Sequence, residues 1–140
     1  MTIWREEIAP RAIGWFHTAC SPIRRSPVFG LSEGEAERQG VIARVATLPM
    51  DAVLGAQATD QMQGFMKALI GDSDDRILGF TMIGAAAGEV MAAVHTAMLA
   101  GLSYTSLANA PLAHPTMAEG LSSLFSNVPP RAERQMSKVA

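Results

Sequence analysis

A single cysteine, Cys20, in 140 residues excludes an internal disulfide framework and any CxxC redox or zinc motif. It fits a reducing compartment. Charge is also scarce. Only 17% of residues are charged, the net charge is −2, and no basic stripe is present, so a nucleic-acid partner is not expected. No unbroken apolar run opens the chain: Arg5, Glu6 and Glu7 lead into Ile8-Ala9-Pro10, unlike a secretory signal. The longest apolar stretch, Met82 to Leu102, contains Glu89 and His95 and is interrupted by Gly84 and Gly88, so no membrane span is expected. These absences predict a water-soluble, cytoplasmic protein. His17, Cys20 and His114 lack the spacing of a metal set. The acidic run Asp72, Asp74, Asp75 lacks the twelve-residue pattern of a calcium loop and reads as a solvated turn. No Gly-x-Gly-x-x-Gly follows a strand, so no dinucleotide fold is expected.

What is present suffices for one domain with a core, since 49% of residues are hydrophobic. Residues 1–27 hold Trp4, Trp15, Phe16 and three prolines without a clear period, and read as an irregular leader. Val28 to Leu31 reads as a short strand. Ser32 and Glu35 have the spacing of a capping box that starts a helix over Glu33 to Gln39, stopped by Gly40. Val41 to Leu48 reads as a strand ending at Pro49. Residues 50–63 are open between a loop and a partly helical crossover. Phe65–Ile70 and Arg76–Ile83 form the clearest signal, a β-hairpin around a polar turn.

Ala85 to Ala100 reads as a helix that is apolar nearly all round, which calls for burial on more than one side. Met66, Met82, Met91, Met98 and Met117 serve as core or interface filler, and His95 as a core or interface histidine. A short helix over Ser103 to Asn109 follows, capped by Ser103. Pro111 to Pro115 is expected to be extended, because a residue before proline avoids the helical region. Met117 to Ser126 is a last helix with Met117, Leu121, Leu124 and Phe125 on one face. Thr116 and Glu119 have the spacing of its capping box. Residues 129–140 read as a polar tail, frayed from Arg131 to Ala140. The order predicts an α+β domain over 28–128, an antiparallel sheet with helices packed on one face.

Four stretches, in order, resemble the dimerisation (interface) domain of the class I pyridine nucleotide–disulfide oxidoreductases. The group includes glutathione reductase, dihydrolipoamide dehydrogenase and mercuric reductase. Val28-Phe29-Gly30-Leu31-Ser32-Glu33 is similar to the family's V-G-L-[ST]-E opening, and Gly64-Phe65-Met66-Lys67 to its G-[FW]-x-K strand. Asp75-Arg76-Ile77-Leu78-Gly79 resembles its R-I-L-G strand, followed by Ala87-Gly88-Glu89-Val90. His114-Pro115-Thr116-Met117-Ala118-Glu119 resembles its H-P-T-x-x-E box.

The resemblance implies that His114 is an acid/base that reaches a redox cysteine of a partner subunit, with Glu119 orienting the ring. Imidazole chemistry suits that task. It also implies a homodimer, or a companion chain carrying the FAD and NAD(P) domains, since this sequence has neither those motifs nor a cysteine pair. No cofactor of its own is expected. The expected function is therefore an interface module or remnant of an FAD-dependent NAD(P)H disulfide oxidoreductase, not catalytic alone. The alternatives are a subunit of a split flavoenzyme, or a free-standing small enzyme or ligand binder resting on His114, Glu119 and Tyr104.

Overall fold

A computed structural model describes residues 28–131. The leader 1–27 and most of the tail, 132–140, lie outside the described residues. Four strands form one antiparallel sheet in the order β1-β4-β3-β2: β1 Val28–Gly30, β2 Ala43–Pro49, β3 Phe65–Gly71 and β4 Ile77–Ile83. Among the described residues, five α-helices accompany it: α1 Glu33–Arg38, α2 Leu54–Ala58, α3 Ala87–Leu99, α4 Tyr104–Ala108 and α5 Gly120–Ser126, with a single 3-10 turn at Met50–Ala52. The fold is the α+β class with an antiparallel sheet that the sequence predicts, except that α1 lies on the opposite face of the sheet from α3 and α5.

Strand alternation sets the core. Ala46 and Leu48 of β2, Met66, Ala68 and Ile70 of β3, and Ile77, Phe80 and Met82 of β4 are buried in one cluster with α3 and α5. Each large apolar side chain so buried stabilises the fold by roughly 1.5–3 kcal/mol. Period two fails once: Leu69 pairs with Gly79 but Ile70 pairs with Ile77, a bulge that leaves Leu78 over. At the sheet border Gly30 pairs with Gly79. A Cβ on Gly30 would lie 2.2 Å from the Leu78 carbonyl oxygen, and one on Gly79 would lie 2.0 Å from that of Leu31. Neither place admits a side chain.

The capping box at α1 forms in full. Ser32 Oγ accepts the Glu35 N–H at 3.3 Å, and Glu35 Oε2 accepts the Ser32 N–H at 2.8 Å. The Ser32 amide, then its hydroxyl, hold the Glu35 carboxyl below its ordinary value. On the side of the sheet away from the core, Lys67 Nζ donates to Glu33 Oε1 at 2.7 Å and ties α1 to β3.

Helix α3 is covered on one side: the described residues bury a single face, Val90, Met91, Val94 and Ala97. Ala92, Ala93, Thr96 and Ala100 are exposed, and Leu99 is 72% exposed. Burial on the second side is not supplied by the described residues. His95 is half-buried and stacks on Phe29, with centroids 4.7 Å apart.

The polar turn between β3 and β4 is more than a solvated cluster. Arg44 of β2, only 9% exposed at its side chain, donates to Asp75 Oδ1 and to the carbonyls of Gly71 (3.2 Å) and Pro129 (3.1 Å). Its Nε lies 3.6 Å from Asp72 Oδ1, and its guanidinium sits 5.6 Å from the Tyr104 ring centre. Arg131 donates to Asp75 Oδ2 at 2.6 Å, so the first residues of the tail are tied down instead of frayed. Burial pushes the Asp75 carboxyl up, but the hydrogen bonds and charges of Arg131 and Arg44 outweigh it and hold the group below the usual carboxylate range. A folded value below the unfolded one means stabilisation that is complete above the unfolded titration, near ~3.9, and lost as pH falls through the folded value. Asp75→Asn should therefore flatten the fall of unfolding free energy with pH below about pH 4. Denaturant midpoints measured across the acid range check this; an equally steep fall in the variant would refute the clasp.

Candidate functional site

His114 and Glu119 lie on the irregular segment between α4 and α5. The sequence predicts a helix from Met117, yet α5 begins at Gly120. The lead-in consists of single turns: Gly120 N–H to Met117 O, Leu121 N–H to Ala118 O and Ser122 N–H to Glu119 O. Each spans three residues instead of four, which marks tightened turns before the helix proper. Thr116 Oγ1 accepts the Glu119 N–H at 3.3 Å and donates to Ala113 O at 2.7 Å. Half of the expected capping box is thus present.

The other half is diverted. Glu119 does not return its carboxylate to Thr116. Its Oε2 is 2.5 Å from Nδ1 of His114, and its Oε1 accepts the Gly55 N–H at 3.0 Å. An ionised carboxylate can only accept, so Nδ1 carries the hydrogen. In the neutral ring Nε2 is then the free acceptor. The Glu119 side chain is 16% exposed and that of His114 is 63% exposed. A shielded carboxylate therefore holds an imidazole whose ring stands in solvent. The His114–Pro115 peptide is cis. The arrangement can accept or deliver a proton at the surface, and it can orient the group that does so.

Two other sequence candidates fall elsewhere. Tyr104 joins Phe125, 6.2 Å away between ring centres, and Arg44, so it serves the clasp and the core. Asp72, Asp74 and Asp75 lie beside arginine side chains, Asp74 with Arg76 at 3.7 Å. The residue that sequence reasoning missed is Gly55. Its stretch is rich in alanine and glutamine. The available signal was Met50, Val53 and Ala56, which recur every third residue and are all buried.

The family model for the pyridine nucleotide-disulphide oxidoreductase dimerisation domain matches residues 27–124. The chain belongs to that family. The dimerisation domain is 33% identical over 99 residues to the probable pyridine nucleotide-disulfide oxidoreductase RclA of Escherichia coli, covering 71% of this chain and 22% of RclA. It is 37% identical over 92 residues to dihydrolipoyl dehydrogenase of Trypanosoma brucei brucei, covering 66% of this chain and 19% of that enzyme. The structure of the HOCl-induced flavoprotein disulfide reductase RclA superposes with a TM-score of 0.71 at 32% identity, over 73% of this chain and 23% of that one. The chain thus spans about a fifth of the length of the curated relatives it matches.

The described part of the dimerisation domain does not fit a dinucleotide. A pyrophosphate needs a glycine-rich turn from a parallel strand into a helix N-terminus. Every strand pairing here is antiparallel. Gly30, Gly64 and Gly79 abut backbone carbonyls. An open cavity of 680 Å3 is lined by Asp60, Gln61 and Gln63 among others, with no lysine or arginine among its described lining residues to meet a phosphate. None of the described helices is long and apolar enough to cross a membrane.

Proposed function

We propose that this chain is an interface module that supplies a docking face and an acid/base pair, His114 and Glu119, to a cytoplasmic flavoprotein oxidoreductase assembly. The FAD, the NAD(P) and the reducible cysteines would come from a companion chain or from domains outside this sequence. The reaction served is reduction of a disulfide or similar acceptor. One observation carries the reading: an exposed imidazole held at Nδ1 by a shielded carboxylate, with Nε2 free to face a thiol.

The chemistry follows from that geometry. Breaking a disulfide releases a thiolate, and a neighbouring imidazolium can protonate it. In the reverse direction the neutral ring takes the thiol proton at Nε2. Glu119 keeps the ring oriented in both directions and stabilises the charged form. The docking face would draw on the uncovered side of α3, where apolar burial contributes roughly 25 cal/mol per Å2 before association costs. A self-paired face of this kind is isologous, so each copy would present the same surface to the other.

The test mixes the full chain with a flavoprotein chain carrying FAD and NAD(P) domains but lacking an interface domain. Light scattering reads the assembly, and NAD(P)H oxidation with a disulfide acceptor reads turnover. Gain of both is expected. A chain that stays monomeric alone and in the mixture would overturn the docking role.

A further inference from the structure

We propose that Gly55, through its backbone N–H and its missing side chain, is the positioning residue that fixes Glu119 and so the ring of His114. The proposal rests on the acid/base reading above for its functional meaning.

Two observations carry it. First, helix α2 has no cap of its own. Its N-cap residue is Val53, whose apolar side chain offers no acceptor. The first four amides of a helix lack partners within it. Gly55 is the second residue of α2, and its amide finds its acceptor 64 positions away, in Glu119 Oε1 at 3.0 Å. Glu119 is therefore a tertiary cap for α2, and α2 is a clamp on Glu119. A carboxylate beside the amides of a first helical turn is also favoured by their partial positive charge.

Second, the segment carrying the pair sits directly on Gly55. A Cβ built there would lie 2.3 Å from the carbonyl carbon of Thr116, 2.4 Å from its oxygen and 2.9 Å from the Met117 nitrogen. These are backbone atoms and cannot swing aside as a side-chain end could. Any side chain at position 55 must push the Thr116–Met117 backbone away, and Glu119 with it. The 3.0 Å bond to Gly55 and the 2.5 Å contact with His114 come from opposite oxygens of one carboxylate. Moving the carboxylate therefore breaks both.

Two variants of the full 140-residue chain test this. In Glu119→Ala, hydrogen exchange at the Gly55 amide should accelerate at least ~10-fold, because its acceptor is gone. In Gly55→Ala, far-UV dichroism and core methyl shifts should stay native. The His114 ring 15N shifts, read with the ring in its neutral form, should move from the Nδ1–H pattern toward that of a free ring. A Gly55 amide whose exchange ignores Glu119→Ala would overturn the proposal. So would a folded Gly55→Ala that keeps the Nδ1–H pattern. Should Gly55→Ala fail to fold, the exchange measurement decides alone. Turnover of the reconstituted assembly separates the two readings. A lost ring signature with full turnover supports Gly55 as positioner and removes that orientation from the acid/base reading, which His114→Ala tests separately.

Discussion

His114→Ala in the reconstituted flavoprotein assembly is expected to lower disulfide turnover by roughly 10²–10⁴-fold, the range that one positioned acid/base group contributes. Assembly size should not change, because the ring is largely exposed and, among the described residues, makes one polar contact, to Glu119. The fall should be steepest with acceptors whose leaving thiolate is most basic, since they depend most on a proton in the transition state. Glu119→Gln should cost less than His114→Ala, because the proton carrier survives while its orientation and charge support weaken. A His114→Ala assembly that turns over within a factor of about two of the original would remove His114 from the mechanism.

Phe125→Ala is expected to destabilise the domain by about 3–5 kcal/mol, the cost of deleting a fully buried ring. Phe125 is 1% exposed, lies in the core cluster, and packs near Tyr104. For a domain of this size the loss should lower Tm by well over ~10 °C. The effect is not only global. Helix α5 starts at the residue after Glu119, and its buried Leu121, Leu124 and Phe125 hold that helix on the sheet. Phe125→Leu keeps most of the volume and should cost under about 1.5 kcal/mol. Calorimetry on both variants decides. A Phe125→Ala domain melting within a few degrees of the original would contradict this account of the core.

Much of this was legible in the sequence because local and tertiary demands agree there. Ser32 and Glu35 form their box, and Phe65 onward pairs with the strand ending at Ile83. Ser103 caps α4, its Oγ accepting the Thr105 N–H at 3.3 Å. Where the two demands part, the sequence misleads. Thr116 and Glu119 look like a local cap, but the carboxylate meets a distant amide and a ring instead, and the start of α5 moves to Gly120. Strand β2 begins at Ala43, not Val41, because the Val41 N–H is taken by Ala36 O as α1 closes. Helix α2 was obscured because five residues rich in alanine, starting after valine, have no local cap to announce them. The pair itself was visible only as H-P-T-x-x-E; its shielded carboxylate and outward ring are products of packing. Helix α3 shows the converse limit. Its composition gives apolar residues on every side, but which side the chain covers depends on the sheet beneath it.

The two borders of the sheet have different duties. Described chain enters at β1, one edge strand, and near its exit the Pro129 carbonyl is held by Arg44 of β2, the opposite edge strand. Three inter-strand steps of about 4.8 Å put roughly 14 Å between those borders. Two residues on, Arg131 is bound to Asp75 ahead of β4, while Val28 pairs with Thr81 further along that strand. Joining Arg131 back to Val28 to permute the order of segments would therefore need a linker that runs along the sheet as well as across it.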